Sequence, residues 1–236
     1  MALMLPDADE PAAVTVAGVV LAAGAGTRFG GPKALARGAD TIPWLVHTIE
    51  TLAAGGCSPV IVVLGAGAAQ AEALLAAHVP ASMHAPVPLI VVHADAWAEG
   101  LSASLRAGLG AATRLAPAPA AIAVVPVDVP DLNAATVLRM LQPPGAAIGA
   151  AGDARGAGDA RGAGGAGAVT ARTLRQAVFG GRPGHPVLIG REHWASLGES
   201  LTGDAGARSY LIAAAAERVE CSDLSTGRDV DTPPGA

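Results

Sequence analysis

The sequence predicts an α/β fold with three layers, in which helices cover both faces of an open, mostly parallel β-sheet. Three observations lead to this prediction. Apolar runs of strand length alternate with segments of helical periodicity. The connections between them are short, as in βαβ units. The apolar runs are hydrophobic almost throughout rather than at every second residue, which is typical of strands buried on both faces of a parallel sheet.

The predicted elements follow one another regularly through the first part of the chain. The strands are rich in Val and Ile, and the helices repeat Leu, Ile or Ala at helical spacing. Asn133 is a favourable N-cap for the fourth helix. In chain order the prediction is a strand at 14–22, a helix at 42–56, a strand at 59–65, a helix at 68–78, a strand at 87–93, a helix at 102–115, a strand at 120–128 and a helix at 133–142.

The regular alternation ends at 143–169, where the hexapeptide AGDARG occurs at 151–156 and again at 157–162. This segment has too little apolar surface to offset its ordering entropy, so we expect a flexible low-complexity loop. Residues 1–13 are expected to be a disordered lead-in, and 14–236 a single domain. The chain after the loop is richer in polar and turn residues, and we expect a smaller, less regular part packed on the sheet.

Composition excludes several classes of protein. A net charge of −5 argues against a general nucleic-acid binder. No apolar stretch reaches the roughly 20 uninterrupted residues of a membrane-spanning helix. The N-terminal residues are acidic where a signal peptide would be basic, and the chain has only two cysteines. We therefore expect a cytoplasmic protein without a disulfide framework and without a membrane or nucleic-acid partner.

A glycine-rich loop, LAAGAGTRFGGPK (21–33), follows the first predicted strand. It is not a dinucleotide fingerprint, because Phe29 stands where the third glycine belongs. It is not a P-loop either, because Pro32 precedes the lysine and Ala34 follows it. Its glycines would still allow backbone N–H groups to approach a ligand at the carboxyl edge of the sheet.

Two cations in this loop, Arg28 and Lys33, indicate an anionic ligand. The chain contains fourteen arginines and one lysine, so its surface charge is supplied almost entirely by arginine. A single lysine at this position suggests chemistry that arginine cannot replace. The alternative is a glycine turn with two surface cations, but the pattern favours phosphate binding.

Carboxylates follow in two further segments. Asp128, in PVDVPDL, ends the fourth predicted strand at the same sheet edge, where Mg²⁺ could take one or two carboxylates together with substrate phosphates. Asp229 and Asp231, in RDVDT, offer a second carboxylate. The alternatives are that Asp128 caps a turn and that RDVDT is a solvated tail.

Two polar motifs lie between these carboxylate segments. RPGHP places His185 in what we expect to be a rigid loop. GDAGAR resembles the opening of a helix with Asp204 near its N-cap, either as a simple cap or as part of a polar-ligand site.

Taken together, LAAGAGTRFGGPK, VPVDVPDL, RPGHPVLI, GDAGAR and DVDT resemble the MobA-like nucleotidyltransferases. The resemblance is strongest to molybdenum cofactor cytidylyltransferases of the MocA type, and it covers 16–233 apart from the low-complexity segment. It implies a Rossmann-like nucleotidyltransferase fold and a Mg²⁺-dependent transfer of CMP from CTP to a molybdopterin-type cofactor, with release of pyrophosphate. It also implies a molybdenum hydroxylase as the recipient of the product.

The same resemblance implies roles for individual residues. Arg28, Lys33 and Asp128 would be catalytic, with the two cations on the triphosphate. Asp128 and Asp231 would be the Mg²⁺ ligands. His185 and Asp204 would face the pterin. The remaining nucleotide-binding residues would be Leu21, Ala22, Ala23, Gly24, Gly26, Gly100 and Ser104.

Three other functions stay open from the sequence. The first is a nucleotidyltransferase of the same fold that uses GTP or another phosphorylated acceptor. In the segment before Trp97, Ala94 and Asp95 lie where the family often has an asparagine. The second is an NAD(P)H-dependent reductase of the nicotine-blue type, which the broken dinucleotide fingerprint disfavours. The third is a cofactor-binding chaperone, which would not need a two-carboxylate metal site.

Overall fold

The computed structural model describes residues 14–38, 41–82, 87–143 and 168–232. These residues form a seven-stranded sheet of order β3-β2-β1-β4-β6-β5-β7. Within it, β6 runs antiparallel to its neighbours and the other strands are parallel to one another. The strands are β1 (Val16–Ala22), β2 (Val60–Leu64), β3 (Leu89–His93), β4 (Ala121–Pro126), β5 (Leu174–Phe179), β6 (Arg182–Gly190) and β7 (Glu217–Glu220). The predicted open, mostly parallel sheet is confirmed.

The centre of the sheet is formed by β1, β2 and β4, and their side chains are buried on both faces. Val19 pairs with Ile61 on one side and with Val124 on the other. Because β1 is central and parallel to both neighbours, its carboxyl end opens onto the edge where the loops after β1 and β4 meet. That edge carries the candidate site.

Helices cover both faces of the sheet, as the alternating pattern predicts. On one face α1, α2 and α4 pack against side chains such as Val20 and Val62, and on the other α3, α5 and α6 pack against side chains such as Val19 and Ile61. The helices are α1 (Trp44–Ala54), α2 (Ala68–Ser82), α3 (Leu101–Thr113), α4 (Ala134–Leu141), α5 (Trp194–Ser200) and α6 (Arg208–Ala213). Asn133 caps α4 as expected, accepting a hydrogen bond from the Thr136 backbone N–H at 3.0 Å.

The expectation of a less regular part after the low-complexity segment is wrong for the residues that form β5 and β6. These strands extend the main sheet, and β6 pairs directly with β4, Val187 opposite Val124. The RPGHP motif therefore lies in a strand and not in a loop. Its turn-like composition hides the strand, because the pairing partner is about 60 residues away in the chain and local pattern cannot reveal it.

The helix predicted at GDAGAR begins later than expected. Asp204 lies in a turn closed by a bridge between Thr202 and Ala205, and α6 begins at Arg208. Asp204 is therefore not its N-cap, since the capping position is occupied by Ala207.

Two predicted segments lie largely or wholly outside the described residues. The lead-in at 1–13 is one of them, and most of the low-complexity loop, 144–167, is the other. Among the residues that are described, no helix combines the length and apolar character needed to cross a membrane.

Candidate active site

A cleft of about 350 Å³ opens at the carboxyl edge of β1 and β4. The glycine loop after β1 forms one wall, and the residues after β4 form the other. The start of α3, the turn that carries Asp204, and Asp231 near the end of the described chain complete it. The cleft thus gathers residues from five separate parts of the sequence.

The glycine loop is folded back on itself. The backbone N–H groups of Phe29 and Gly31 both donate to the carbonyl of Gly26, at 2.9 and 3.1 Å. Gly26 has φ +59°, and a Cβ there would lie 1.9 Å from the Gly31 carbonyl oxygen. Only glycine fits this position. The Phe29 ring contacts Trp44 at the start of α1, with 5.3 Å between ring centroids, so the loop is fixed to the helix layer.

Lys33 opens a short 3₁₀ helix, Lys33–Leu35, and its ammonium lies between two carboxylates. Its Nζ donates to Asp128 Oδ2 at 2.7 Å and to Asp231 Oδ1 at 2.9 Å. Arg28 is more exposed, and its Nη1 lies 3.5 Å from the second oxygen of Asp231. Two predicted catalytic cations are thereby brought together with both predicted metal ligands.

The contacts in this cluster shift the proton affinities of its members. Burial alone would lower the pKa of Lys33, but the hydrogen bonds and charges of Asp128 and Asp231 outweigh it and raise that pKa. The hydrogen bond and charge of Lys33, with a smaller effect of Arg28, lower the pKa of Asp231. Lys33 is therefore protonated and Asp231 ionised at neutral pH.

Asp128 has a second oxygen, Oδ1, that is buried and has no hydrogen-bond partner in the described part of the chain. A buried carboxylate oxygen without a partner is costly, and a bound cation would remove that cost. No group of three or more His, Cys, Asp or Glu suited to a metal occurs among the described residues. A cation here would therefore take its remaining ligands from a substrate or water, as Mg²⁺ does at phosphate-binding sites.

Asp204 lines the cleft from a turn that packs against the start of α3. Gly100 has φ +111°, and a Cβ there would lie 2.4 Å from Asp204 Oδ1. The Ser102 backbone N–H donates to the Gly203 carbonyl at 3.0 Å. Gly100 therefore contributes indirectly: the absence of a side chain there allows the turn that carries Asp204 to pack against the start of α3. Ser104 is buried in α3 and does not line the cleft.

His185 lies in β6, half-buried, and it is not among the residues that line the cleft. Its Nδ1 lies 3.4 Å from the Val124 carbonyl oxygen. Burial lowers the pKa of His185, although the Val124 carbonyl and the charges of Asp128 and Asp229 oppose this effect. The imidazole is therefore neutral at pH 7, beside the carboxylate cluster and not within it.

Most of the residues to which the resemblance gives a role meet in this one cleft, but four do not. Ala23, Gly100, Ser104 and His185 are the four that stay outside it. Leu101 also lines the cleft, although its side chain is 42% exposed. It belongs to AEGLSASL (98–105), which resembles the family's G-[LM]-x-x-S-L stretch near the base and ribose, but the resemblance gave it no individual role. The residues with a proposed role that line the cleft are Leu21, Ala22, Gly24, Gly26, Arg28, Lys33, Asp128, Asp204 and Asp231.

Comparison with known proteins gives three matches of interest. The model of the MobA-like NTP transferase domain family matches residues 18–219. Nicotine blue oxidoreductase of Paenarthrobacter nicotinovorans is 36% identical over 236 residues, covering 96% of this chain and 95% of that protein. The crystal structure of Rv0371c from Mycobacterium tuberculosis H37Rv is 26% identical, with a TM-score of 0.60, and the match covers 93% of this chain and 94% of that one.

A fourth comparison concerns the fold alone. A nucleotidyl transferase from Methanothermobacter thermautotroptrophicus, Mth528, has a TM-score of 0.65 at 21% identity, covering 92% of each chain. At this identity the likeness establishes a shared architecture, and it agrees with the three-layer sheet described above.

Proposed function

This chain belongs to the MobA-like NTP transferase domain family, and on that premise we propose that it transfers CMP from CTP to a molybdopterin-type molybdenum cofactor, releasing pyrophosphate. One observation carries the nucleotidyl-transfer part of the proposal. The only lysine of the chain ends the glycine loop that forms one wall of the cleft, and it bridges Asp128 and Asp231. Such a cluster suits a nucleoside triphosphate with a divalent cation.

The charge of the cleft supports a cation-dependent reaction. Its lining carries two cations, Arg28 and Lys33, and three carboxylates, Asp128, Asp204 and Asp231. The cleft therefore has one net negative charge and would repel a free triphosphate. A divalent cation would reverse that sign, which is why we include Mg²⁺ in the proposal.

Asp128 and Asp231 are the residues that would hold Mg²⁺, and the buried, unpartnered Oδ1 of Asp128 fits that role. When bound, the ion would neutralise charge on the phosphate oxygens and so favour attack at the α-phosphorus. Lys33 and Arg28 are positioned to hold phosphate oxygens, Lys33 as a point charge and Arg28 as a planar donor.

The reaction needs little acid–base chemistry from the protein. A terminal phosphate oxygen of the acceptor forms a bond to the α-phosphorus of CTP, and the bond from that phosphorus to the bridging oxygen breaks. Pyrophosphate leaves with the electron pair. The chain's contribution is to align the two substrates and to stabilise the charge that develops, with Lys33 keeping its proton throughout.

The choice of CTP and of a pterin acceptor rests on the motifs RPGHPVLI and GDAGAR. Asp204 from the lining of the cleft, and His185 from β6 outside that lining, would face the pterin, whose ring edge presents donors and acceptors that a carboxylate and a neutral imidazole can match. The product would pass to a molybdenum hydroxylase. GTP in place of CTP, or another phosphorylated acceptor, would use the same cleft and the same chemistry.

A second candidate function comes from the relative named nicotine blue oxidoreductase, which is 36% identical over nearly the whole chain. It is an NAD(P)H-dependent reduction. Two features disfavour this reaction: Phe29 replaces the third glycine of the dinucleotide fingerprint, and the next strand, Val60–Leu64, carries no acidic residue to bind a ribose of the dinucleotide. For these reasons we place it second.

Calorimetric titration of the protein with CTP, GTP and NADH, each with and without Mg²⁺, separates these functions. We expect CTP binding that requires Mg²⁺, is lost in Lys33→Ala and is kept in Arg37→Ala. Arg37 is a suitable control because it lies near Lys33 in sequence, donates to the Thr41 carbonyl and does not line the cleft. NADH binding that is indifferent to Mg²⁺ would contradict the transferase proposal and favour the reductase.

A further inference from the structure

The last described residues of the chain lie alongside the loop that follows β4. The contact nearest the cleft involves Val230. The backbone N–H of Val230 donates to the Asp128 carbonyl at 2.9 Å. Farther out, Asp131 Oδ2 accepts two hydrogen bonds from Thr226, one from its backbone N–H at 2.7 Å and one from its hydroxyl at 2.5 Å.

A third contact extends the series. Asn133 Nδ2 donates to the Leu224 carbonyl at 2.5 Å. As the loop advances from Asp128 to Asn133, its partners move backwards along the tail, so the two segments run antiparallel. The loop therefore holds the tail at three points, and Asp231 follows directly after the innermost one.

We propose that Asp131 and Thr226 form a clasp that positions Asp231 against Lys33, and that both are positioning residues for the reaction. The role in catalysis rests on the proposed function, whereas the positioning itself does not. The tail has no helix or strand of its own between β7 and Asp231. Its course must therefore be set by contacts such as these.

The chemistry of the clasp suits this role. A carboxylate that accepts a backbone N–H and a hydroxyl from one residue makes two charge-assisted hydrogen bonds and fixes that residue's orientation. The Thr226 hydroxyl oxygen in turn accepts the Arg228 backbone N–H at 3.3 Å, which tightens the turn. Gly227 follows Thr226 with φ +61°, where a Cβ would lie 2.1 Å from the Phe179 ring. The chain is thus turned back towards Asp128.

The segment between the clasp and Asp231 is short. Only three residues lie between Thr226 and Val230, and Val230, whose backbone N–H contacts Asp128, immediately precedes Asp231. Asp131 and Thr226 are themselves exposed, so their contact adds little to the core. We therefore expect its loss to displace Asp231 while leaving the fold in place.

The single lysine provides a direct readout. With ¹³C,¹⁵N-lysine labelling, the side-chain signal of Lys33 reports its contact with Asp231, and Asp231→Ala gives the signal expected when that contact is lost. We expect Thr226→Val, which keeps the shape but removes the hydroxyl, to move the Lys33 signal towards the Asp231→Ala value. Thr226→Ser, which keeps the hydroxyl, should give the same Lys33 signal as the wild type. Asp131→Ala should behave as Thr226→Val does.

Asp223→Asn is the matched control on the same tail. Asp223 pairs with Arg139 on α4, away from Lys33, so its removal should leave the Lys33 signal and the activity unchanged. In the transferase assay, Thr226→Val should lower kcat by roughly 10-fold to 100-fold, the effect expected of a misplaced catalytic group. Thr226→Ser should be close to wild type.

The outcomes separate the two proposals. A wild-type Lys33 signal in both Thr226→Val and Asp131→Ala overturns the clasp. A displaced signal with unchanged kcat overturns its role in the reaction. If the wild-type protein binds no nucleotide but Thr226→Val still moves the Lys33 signal, the clasp is upheld and the transferase proposal fails.

Discussion

At the scale of single residues, the candidate site depends on how one lysine is shared between two carboxylates. Lys33 holds Asp128 and Asp231 within hydrogen-bond distance, although Asp231 lies 198 residues further along the chain. A guanidinium is a wider, planar group and would not present the same compact point charge to both carboxylates. This difference is consistent with a lysine at this position in a chain that otherwise uses arginine.

Removal of the Lys33 ammonium should be far more costly to catalysis than to folding. We expect Lys33→Ala to lower kcat at least about 100-fold, since it removes a positive charge from the phosphates in the transition state. Lys33→Arg should not restore activity. Steady-state assays of pyrophosphate release, with Arg37→Ala as the control, check this, and near-normal turnover of Lys33→Ala would contradict it.

The Asp128 carboxylate should be equally important. Asp128→Ala leaves Lys33 with one partner and removes the buried oxygen that fits a cation. We expect a loss of at least about 100-fold in rate at saturating Mg²⁺, or roughly 2.7 kcal/mol of transition-state stabilisation. Turnover close to wild type at high Mg²⁺ would exclude Asp128 as a metal ligand. Asp223→Ala serves as the carboxylate control.

Because of the ion pair of Asp231, the free energy of unfolding should depend on pH in the acid range. The pKa of Asp231 is lowered in the folded protein, so its contribution is present above its unfolded pKa and is lost as pH falls through the folded pKa. Because Asp231 is about half exposed, we expect Asp231→Asn to lower stability at pH 7 by no more than about 1 kcal/mol. Thermal unfolding should show this difference shrinking below about pH 4. A difference that persists unchanged to pH 2 would contradict it.

At the scale of elements, the glycine loop works as a rigid unit because of Gly26. Its carbonyl accepts two hydrogen bonds from the same loop, and its φ of +59° is in the left-handed region. The loop is therefore shaped before a ligand arrives, which reduces the entropic cost of binding.

Gly26→Ala should disrupt the loop without unfolding the protein. The left-handed backbone alone costs about 1–2 kcal/mol for an alanine, and its Cβ would collide with the Gly31 carbonyl. We expect nucleotide affinity to fall at least about 10-fold by calorimetry, equivalent to about 1.4 kcal/mol. Gly31→Ala is the control, because a Cβ there has no atom within 4 Å. Equal affinities in the two variants would argue against a preformed loop.

At the scale of the whole molecule, a buried arginine ties the outer strands to the helix layer. Arg175 on β5 is 4% exposed. Its guanidinium donates to Glu217 on β7 at 2.8 Å and to the carbonyls of Met140 and Gln142 at 3.0 and 2.8 Å. These bonds hold the end of α4 against the sheet, next to the segment that leads out of the described residues.

Arg175→Ala should therefore weaken the fold as a whole. It removes the arginine donor from the Met140 carbonyl, which is buried, and from the Gln142 carbonyl, which is partly buried, and it creates a cavity. We expect a loss of about 2–4 kcal/mol in the free energy of unfolding. Urea unfolding measures this directly. Arg172→Ala is the control, because Arg172 is exposed and its ion pair with Glu192 lies at the surface, so the loss of stability should stay within about 0.5 kcal/mol. A similar effect of both substitutions would contradict the role assigned to Arg175.

The sequence by itself determined the alternation of β1 to α4, the glycine loop and the residue types of the site, because these depend on local periodicity and on side-chain chemistry. It did not reveal that β6 joins the sheet through β4, nor that α6 begins at Arg208. Strand pairing between distant segments depends on a partner that the local pattern does not contain.

The tertiary structure alone decided how the site is assembled. RDVDT could be read from sequence as a solvated tail or as a source of a carboxylate, and only the fold brings Asp231 to Lys33. It does so through contacts of Thr226 with Asp131 and of Val230 with Asp128, about 100 residues apart in the chain. The physical reason is that a side chain's type is local information, whereas its partner is fixed by the path of the whole chain.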